Sequence, residues 1–108
     1  MGQTNLLQGT LDLLILKTLT LGEMHGLAVA RRIGQITKGA FEVKPGSLFP
    51  ALHRMEEAGW LRAKWITKDT GRRARIYELT ATGRKQLAAE ESRWEAVISA
   101  ITRVLRTA

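Results

Sequence analysis

The chain reads as a mainly α fold with a small β-hairpin, an α+β arrangement closed by a long C-terminal helix. Three observations carry that reading. Apolar residues recur at helical intervals as far as Ala58. The period then drops to two between Leu61 and Leu79, around Asp69-Thr70-Gly71. Helical spacing then returns, with Leu87, Trp94 and Ile101 seven residues apart.

Met1 to Asn5 read as a loose end, and Thr10 reads as the cap of a first helix. Leu11, Leu14, Ile15 and Thr18 line one face, while Leu13 and Leu16 lie off it. A helix apolar nearly all round must bury more than one side. In a chain of 108 residues the second contact points to another subunit, through Leu7, Leu13 and Leu16. Gly22 ends this helix. Met24-His25-Gly26 is a tight connection, where His25 can cap the next helix. With two histidines in all, and no cysteine or carboxylate pair beside them, no metal site is expected. Leu27 to Thr37 form the second helix, its inner face drawn from Leu27, Ala30, Ile33 and Ile36 or Thr37. Arg31, Arg32 and Gln35 lie outside, and Lys38-Gly39 closes it.

The stretch from Lys44 to Trp60 organises the rest. Pro45 fixes φ ahead of a third helix, Ser47 can cap it, and Pro50 then falls at a third helical position where no ladder bond is lost. Leu48, Ala51, Leu52, Met55 and Ala58 mark the buried face, and Gly59 is a left-handed C-terminal cap. The other face offers Gly46, Ser47, Phe49, Pro50, His53 and Arg54, without an acid until Glu56 and Glu57. A surface this small and basic suits a DNA major groove, and the helix dipole suits phosphate. An ordinary amphipathic surface helix would carry the same apolar stripe, so the residues beyond Gly59 decide between the two.

Leu61, Ala63, Trp65 and Thr67 alternate with Arg62, Lys64, Ile66 and Lys68. After the turn, Arg73, Arg75, Tyr77 and Leu79 alternate with Ala74, Ile76 and Glu78. A hairpin edge needs one or two charges to resist aggregation. Lys68, Arg72, Arg73 and Arg75 around one turn exceed that need. Thr80 can cap the last helix, which runs to about Arg106, roughly 40 Å. Val97, Ile98, Val104 and Leu105 widen its stripe into something like a coiled-coil seam. The expected subunit contacts here are Leu87, Trp94, Val97, Ile98, Ile101 and Leu105.

The formal net charge is +7, with 44% apolar residues and no cysteine. The apolar share suits a folded domain, and the charge suits a polyanionic partner. The lack of thiols excludes disulfides, thiolate metal sites and cysteine nucleophiles, and is compatible with a reducing cytoplasm. The N-terminal apolar run is broken by Asp12 and Lys17, so neither a signal peptide nor a membrane span is expected. Residues 62–75 hold Arg62, Lys64, Lys68, Arg72, Arg73 and Arg75 against Asp69 alone, which localises the basic surface.

Helix, helix, helix, basic hairpin and long helix is the order of a winged helix-turn-helix with a C-terminal dimerisation helix. Residues 1–79 are expected to form the DNA-binding domain and 80–108 the dimerisation helix. In detail the chain resembles the PadR family of bacterial transcriptional regulators. The resemblance lies in L-D-L-L-I-L at Leu11 to Leu16, M-H-G-L-A-V-A-R-R-I at Met24 to Ile33, G-S-L-F-P-A-L-H-R-M-E-E-A-G-W at Gly46 to Trp60, and G-R-R-A-R-I-Y-E-L-T-A-T-G at Gly71 to Gly83. The single closing helix resembles the short subfamily. Phe49 departs from the tyrosine usual there, which removes any hydroxyl contact to phosphate.

The resemblance implies a homodimeric, sequence-specific repressor of transcription, acting on double-stranded DNA at a palindromic operator, with no cofactor and no enzymatic activity. Its DNA contacts are expected among Lys44, Gly46, Ser47, Phe49, His53, Arg54, Lys68, Arg72, Arg73 and Arg75, with help from Arg31 and Arg32. Similarity to multidrug-sensing members implies that Trp94 contacts a small, planar, hydrophobic effector between subunits. Three other classes compete. An RNA-binding module would want an exposed aromatic platform. A catalytic domain would need a third group to orient a base beside Ser47, His53 and Glu56. A dimeric interaction protein would use the apolar helices and leave the basic hairpin idle.

Overall fold

A computed structural model of the chain describes residues 2–108, with side chains from residue 9 onward. Helix α1 (Gly2–Thr18) continues into a 3-10 turn at Leu19–Leu21, and Gly22 stops it at a φ of 135°. Thr10 lies within α1 and not at its cap. The buried residues are Asp12, Ile15, Leu16, Thr18 and Leu19. Ile15 and Thr18 lie inward as the spacing suggests, whereas Leu11 and Leu14 are only half-buried and Asp12 and Leu16 are buried beside them. Leu16 is fully buried in its own core, so it is not a subunit contact. Leu13 is half-buried against the same core, and Leu7 lies outside the described side chains.

Three strands form one antiparallel sheet in the order β1-β3-β2: β1 (Met24–His25), β2 (Leu61–Thr67) and β3 (Arg73–Leu79). The expected hairpin is present, from Leu61 opposite Leu79 to Thr67 opposite Arg73. The supposed connection at Met24-His25 is a third strand, with Met24 opposite Tyr77. Helix α2 (Gly26–Ile36) follows without a gap. His25 occupies its N-cap position but makes no side-chain cap bond. Its buried residues are Gly26, Val29 and Ile33, whereas Leu27 and Ile36 are exposed. A Cβ at Gly26 would lie 2.9 Å from Leu52 Cδ1 and 3.0 Å from Phe49 Cε1, so a larger residue there would require those side-chain ends to shift.

Helix α3 (Pro45–Glu57) starts earlier than the spacing predicts. Lys44 is the N-cap residue, Pro45 takes the first helical position, and Ser47 makes no cap bond. Pro50 is therefore the sixth helical residue, and the Gly46 carbonyl loses its i+4 donor. The end is as expected. Gly59 has φ +83°, its N–H donates to the Glu56 carbonyl, and the Trp60 N–H reaches back to Met55. Leu48, Leu52 and Met55 are fully buried beside Ile15, Leu16 and Val29. Each such side chain contributes roughly 1.5–3 kcal/mol.

Helix α4 (Ala81–Thr107) is capped by Thr80, whose Oγ1 accepts from the Gly83 N–H at 3.0 Å. The Thr80 N–H donates to the Trp60 carbonyl, which ties the sheet exit to the end of α3. At Gly83 a Cβ would meet the Trp60 carbonyl oxygen at 2.1 Å, so α4 can leave the sheet here only through glycine. The first half of α4 packs on α1, burying Gly83, Leu87 and Glu90. Leu87 is 5% exposed and belongs to the core of its own chain, which removes it from the expected subunit contacts. Beyond Val97 the helix leaves the domain, and the molecule measures 58 × 29 × 27 Å.

Candidate nucleic-acid interface

The exposed side of α3 is built from its early start. Lys44, Pro45, Gly46, Ser47, Phe49, Pro50 and His53 are all exposed, while Leu48, Ala51 and Leu52 face the core. Gly46 has no Cβ, and Pro50 leaves its carbonyl without the usual helical donor, so an open acceptor lies on the first turn. The positive end of the helix dipole lies at the same end, where the Ser47 and Leu48 N–H groups donate to the Lys44 carbonyl.

The β2–β3 hairpin supplies the second part. Its turn is closed by the Gly71 N–H donating to the Lys68 carbonyl at 2.8 Å, and Gly71 has φ +84°. Lys68, Arg72 and Arg73 are exposed around this turn. Trp65, which the sequence pattern alone did not assign to the site, is 54% exposed beside them. The Arg73 guanidinium lies 4.6 Å from its ring centroid, which holds that charge on the hairpin face. Trp65 stands opposite Arg75 in the register, so a cross-strand aromatic–arginine pair was the available signal.

Pairing divides the expected contacts. Arg54 gives Asp12 on α1 a two-pronged hydrogen bond, Nη1 at 2.9 Å and Nη2 at 2.6 Å. The Asp12 side chain is only 8% exposed, and its bond raises the Arg54 pKa above the ordinary value. Arg54 thus joins α3 to α1 and is unavailable to read guanine. Arg75 is likewise taken up. Its Nη2 donates to Glu56 on α3 at 2.7 Å, and its guanidinium lies 5.6 Å from the Trp65 ring and 5.8 Å from Tyr77. It braces the hairpin on α3. His53 lies 3.1 Å from Glu57, both largely exposed, and stays accessible. Lys64 with Glu23 and Arg62 with Glu78 pair away from the turn. Lys44, Lys68, Arg72, Arg31 and Arg32 pair with no carboxylate among the described residues. Of the cations without a carboxylate partner among the described residues, Arg31, Arg32, Lys38, Lys44, Lys68, Arg72 and Arg73 lie along α2, the start of α3 and the hairpin, while Arg84, Lys85, Arg103 and Arg106 lie on α4.

The expected subunit contacts also divide. Ile98, Ile101, Val104 and Leu105 are 54–79% exposed and form an apolar strip with Ala100 on the outer half of α4. Val97 is half-buried. Trp94 is half-buried against α1, where a Cβ on Gly9 would lie 3.7 Å from its Cζ2. Its Nε1 is buried without an acceptor among the described residues. No group of His, Cys, Asp or Glu that could hold a metal occurs among the described residues, and no described helix is long and apolar enough to cross a membrane.

Three helices, a three-stranded sheet with a basic hairpin, and a small-residue helix start exposed beside it define a winged-helix DNA-binding protein. Residues 15–89 match the model of the transcriptional regulator PadR-like family, and the chain belongs to that family, whose members bind DNA and are not enzymes. The transcriptional regulator Rv3488 of Mycobacterium tuberculosis is 35% identical over 65 residues, which span 60% of this chain and 57% of that protein. A transcriptional regulator from Clostridium thermocellum has the same fold, with TM-score 0.83 and 24% identity, covering 92% of this chain and 96% of the other. A PadR-like regulator from Bacillus cereus superposes with TM-score 0.80 at 22% identity, covering 96% and 99%.

Proposed function

We propose that this transcriptional regulator is a homodimeric repressor that binds a palindromic operator and blocks transcription sterically. The observation that carries the reading is the basic face without paired carboxylates along α2, the start of α3 and the hairpin turn. Gly46, Ser47, Phe49 and His53 enter the major groove, where the open Gly46 carbonyl can accept from a base amino group. Phe49 packs against sugar or base and makes no phosphate hydrogen bond. Lys44, Arg31 and Arg32 meet the backbone, and Lys68, Arg72 and Arg73 reach the flanking phosphates or minor groove. Arg54 and Arg75 act one step back, by holding α3 to α1 and to the hairpin.

The uncovered strip on α4 supports the dimer. Ile98, Ile101, Val104 and Leu105 leave an apolar seam that a second copy would bury. Residues 80–108 are then the dimerisation helix, and a two-fold axis repeats the half-sites at about one helical turn or a multiple of it. Such a regulator works in the cytoplasm, with access to the chromosome. The unsatisfied Trp94 Nε1 favours a compatible second role, contact with a planar hydrophobic effector in the seam.

The test is an anisotropy titration with duplex from the upstream region of the protein's own gene, against scrambled duplex, at two salt concentrations. Tight binding to the native duplex with a symmetric footprint is the expected result. Equal, steeply salt-dependent binding to both would reduce the protein to phosphate contact without sequence reading. No binding at low salt would refute the DNA reading.

A further inference from the structure

Leu61, Ala63 and Trp65 share one face of β2, and Tyr77 and Arg75 stand opposite Ala63 and Trp65 on β3. The face begins in the core, with Leu61 2% and Tyr77 6% exposed, and ends outside it at Trp65, which is 54% exposed. A large ring left open near a hairpin turn works against solubility, and a lysine or threonine would serve the strand better there. The Arg73 and Arg75 guanidiniums lie 4.6 and 5.6 Å from the ring centroid. Exposed stacks of this kind add little stability, so they do not account for a tryptophan at this position.

The neighbours of the ring show where it is held. Arg75 donates to Glu56 on α3, so one of the two guanidiniums beside Trp65 is itself anchored to α3. Trp65 and the half-exposed Phe49 of α3 line the same gap between that helix and the hairpin, and Arg31 and Lys68 line it with them. What crosses such a gap follows from the shape of a duplex. With α3 in a major groove and the hairpin at the adjacent minor groove, the sugar–phosphate strand that separates the two grooves passes between them. Each nucleotide of that strand offers a phosphate, which suits a lysine or arginine, and a deoxyribose, whose C–H edge suits an aromatic ring.

We infer that Trp65 is itself a DNA contact, packing against a deoxyribose of the strand that runs between α3 and the hairpin. The inference rests on the DNA-binding reading and adds to it a contact that is neither ionic nor specific for a base. Trp65 gains affinity by removing apolar surface from water, whereas Lys68, Arg72 and Arg73 gain it by releasing counterions. The stack with Arg73, and with Arg75 anchored on Glu56, fixes the ring before DNA arrives, so little side-chain freedom is lost on binding.

The test joins a spectroscopic signature to an affinity series. The full chain, labelled with 5-fluorotryptophan, carries three fluorine signals, from Trp60, Trp65 and Trp94, and Trp65→Phe assigns the middle one. Duplex added at low salt should shift the Trp65 signal and reduce its response to exchange of water for heavy water. Trp65→Ala, verified as folded by thermal unfolding, should weaken native and scrambled duplex alike by about tenfold or more, and Trp65→Phe should restore most of the loss. The salt slope of Trp65→Ala should match that of the unaltered chain, whereas Arg73→Ala should lower it by about 1 unit. An unmoved Trp65 signal with duplex bound, or undiminished affinity in Trp65→Ala, overturns the contact and leaves the DNA reading standing. Loss on the native duplex alone would assign the ring to a base and overturn the sugar contact. Loss with a flatter slope would reduce Trp65 to a support for Arg73. If the unaltered chain binds neither duplex at low salt, the DNA reading fails and the contact fails with it.

Discussion

The pairing of Asp12 with Arg54 can be broken from either side, and the two sides are not equivalent. Asp12 is nearly buried, with its side chain 8% exposed, and it accepts two hydrogen bonds at 2.6 and 2.9 Å. Arg54→Met leaves that carboxylate buried and unpaired. Loss of one partner of a buried pair is worth about 3–5 kcal/mol. The Arg54 side chain is 38% exposed, however, so solvent already screens part of the attraction. Discounting toward the exposed-pair range gives about 2–3 kcal/mol for Arg54→Met. Asp12→Asn leaves an arginine that can turn to water, and should cost less, about 1–2 kcal/mol. For a domain of this size each kcal/mol moves Tm by about 4–8 °C. The double variant Asp12→Asn with Arg54→Met removes both charges and should cost clearly less than the two single losses added together. Thermal unfolding followed by circular dichroism, at one protein concentration so that subunit association does not intrude, measures all four forms. If either single variant changes stability by less than about 0.5 kcal/mol, or if the double variant equals the sum of the singles, the pair does not hold α3 to α1. DNA affinity gives a second reading. A bracing role predicts that Asp12→Asn weakens binding without altering its salt slope, whereas a phosphate contact by Arg54 predicts a shallower slope in Arg54→Met alone.

Gly83→Ala must push its Cβ against the Trp60 carbonyl oxygen, and should lower stability by about 3 kcal/mol or more, visible as a fall in Tm. Arg72→Ala with Arg73→Ala should leave the proposed dimer intact in sedimentation and flatten the salt slope of DNA affinity by up to about 2 units, and an unchanged slope would remove the hairpin from the contact. Burial raises the Tyr77 pKa above the ordinary tyrosine value of 10.0, with Arg75 opposing the rise. The folded chain therefore holds that proton more tightly than the unfolded one, so the stability it adds is full below pH 10 and is lost as pH rises through the folded pKa. Denaturation in urea across that window should show a shallower alkaline decline in Tyr77→Phe, and an identical decline would assign the effect to other groups.

Backbone punctuation was the most legible part of this sequence. Pro45, Gly59 and Thr80 act through φ, left-handed geometry or a cap bond within a few residues, and each marks a boundary in the structure. Strand β1 escaped because two residues carry no period. Leu27 and Leu16 were misassigned because leucine spacing cannot reveal a helix's rotation, which here turns Gly26 and Asp12 inward. The basic surface was legible in outline but not in membership. Asp12 is 42 residues from Arg54 and Glu56 is 19 from Arg75, and only the folded chain shows which cations are already balanced. Trp65 stood in plain view as a strand residue, and its exposure came from the hairpin projecting beyond the core.

Helix α4 continues for 27 residues without proline, and its only glycine lies in the first turn. It is a stiff lever, about 40 Å long. If it is turned by about 5° at the end where two copies would meet, its other end sweeps about 3.5 Å, close to the rise of one base pair. Changes in the seam far too small to break it would therefore step the paired α3 helices out of register with two fixed half-sites. In the proposed dimer, the length of α4 would convert a slight repacking around Trp94 and Ile101 into the gain or loss of an operator.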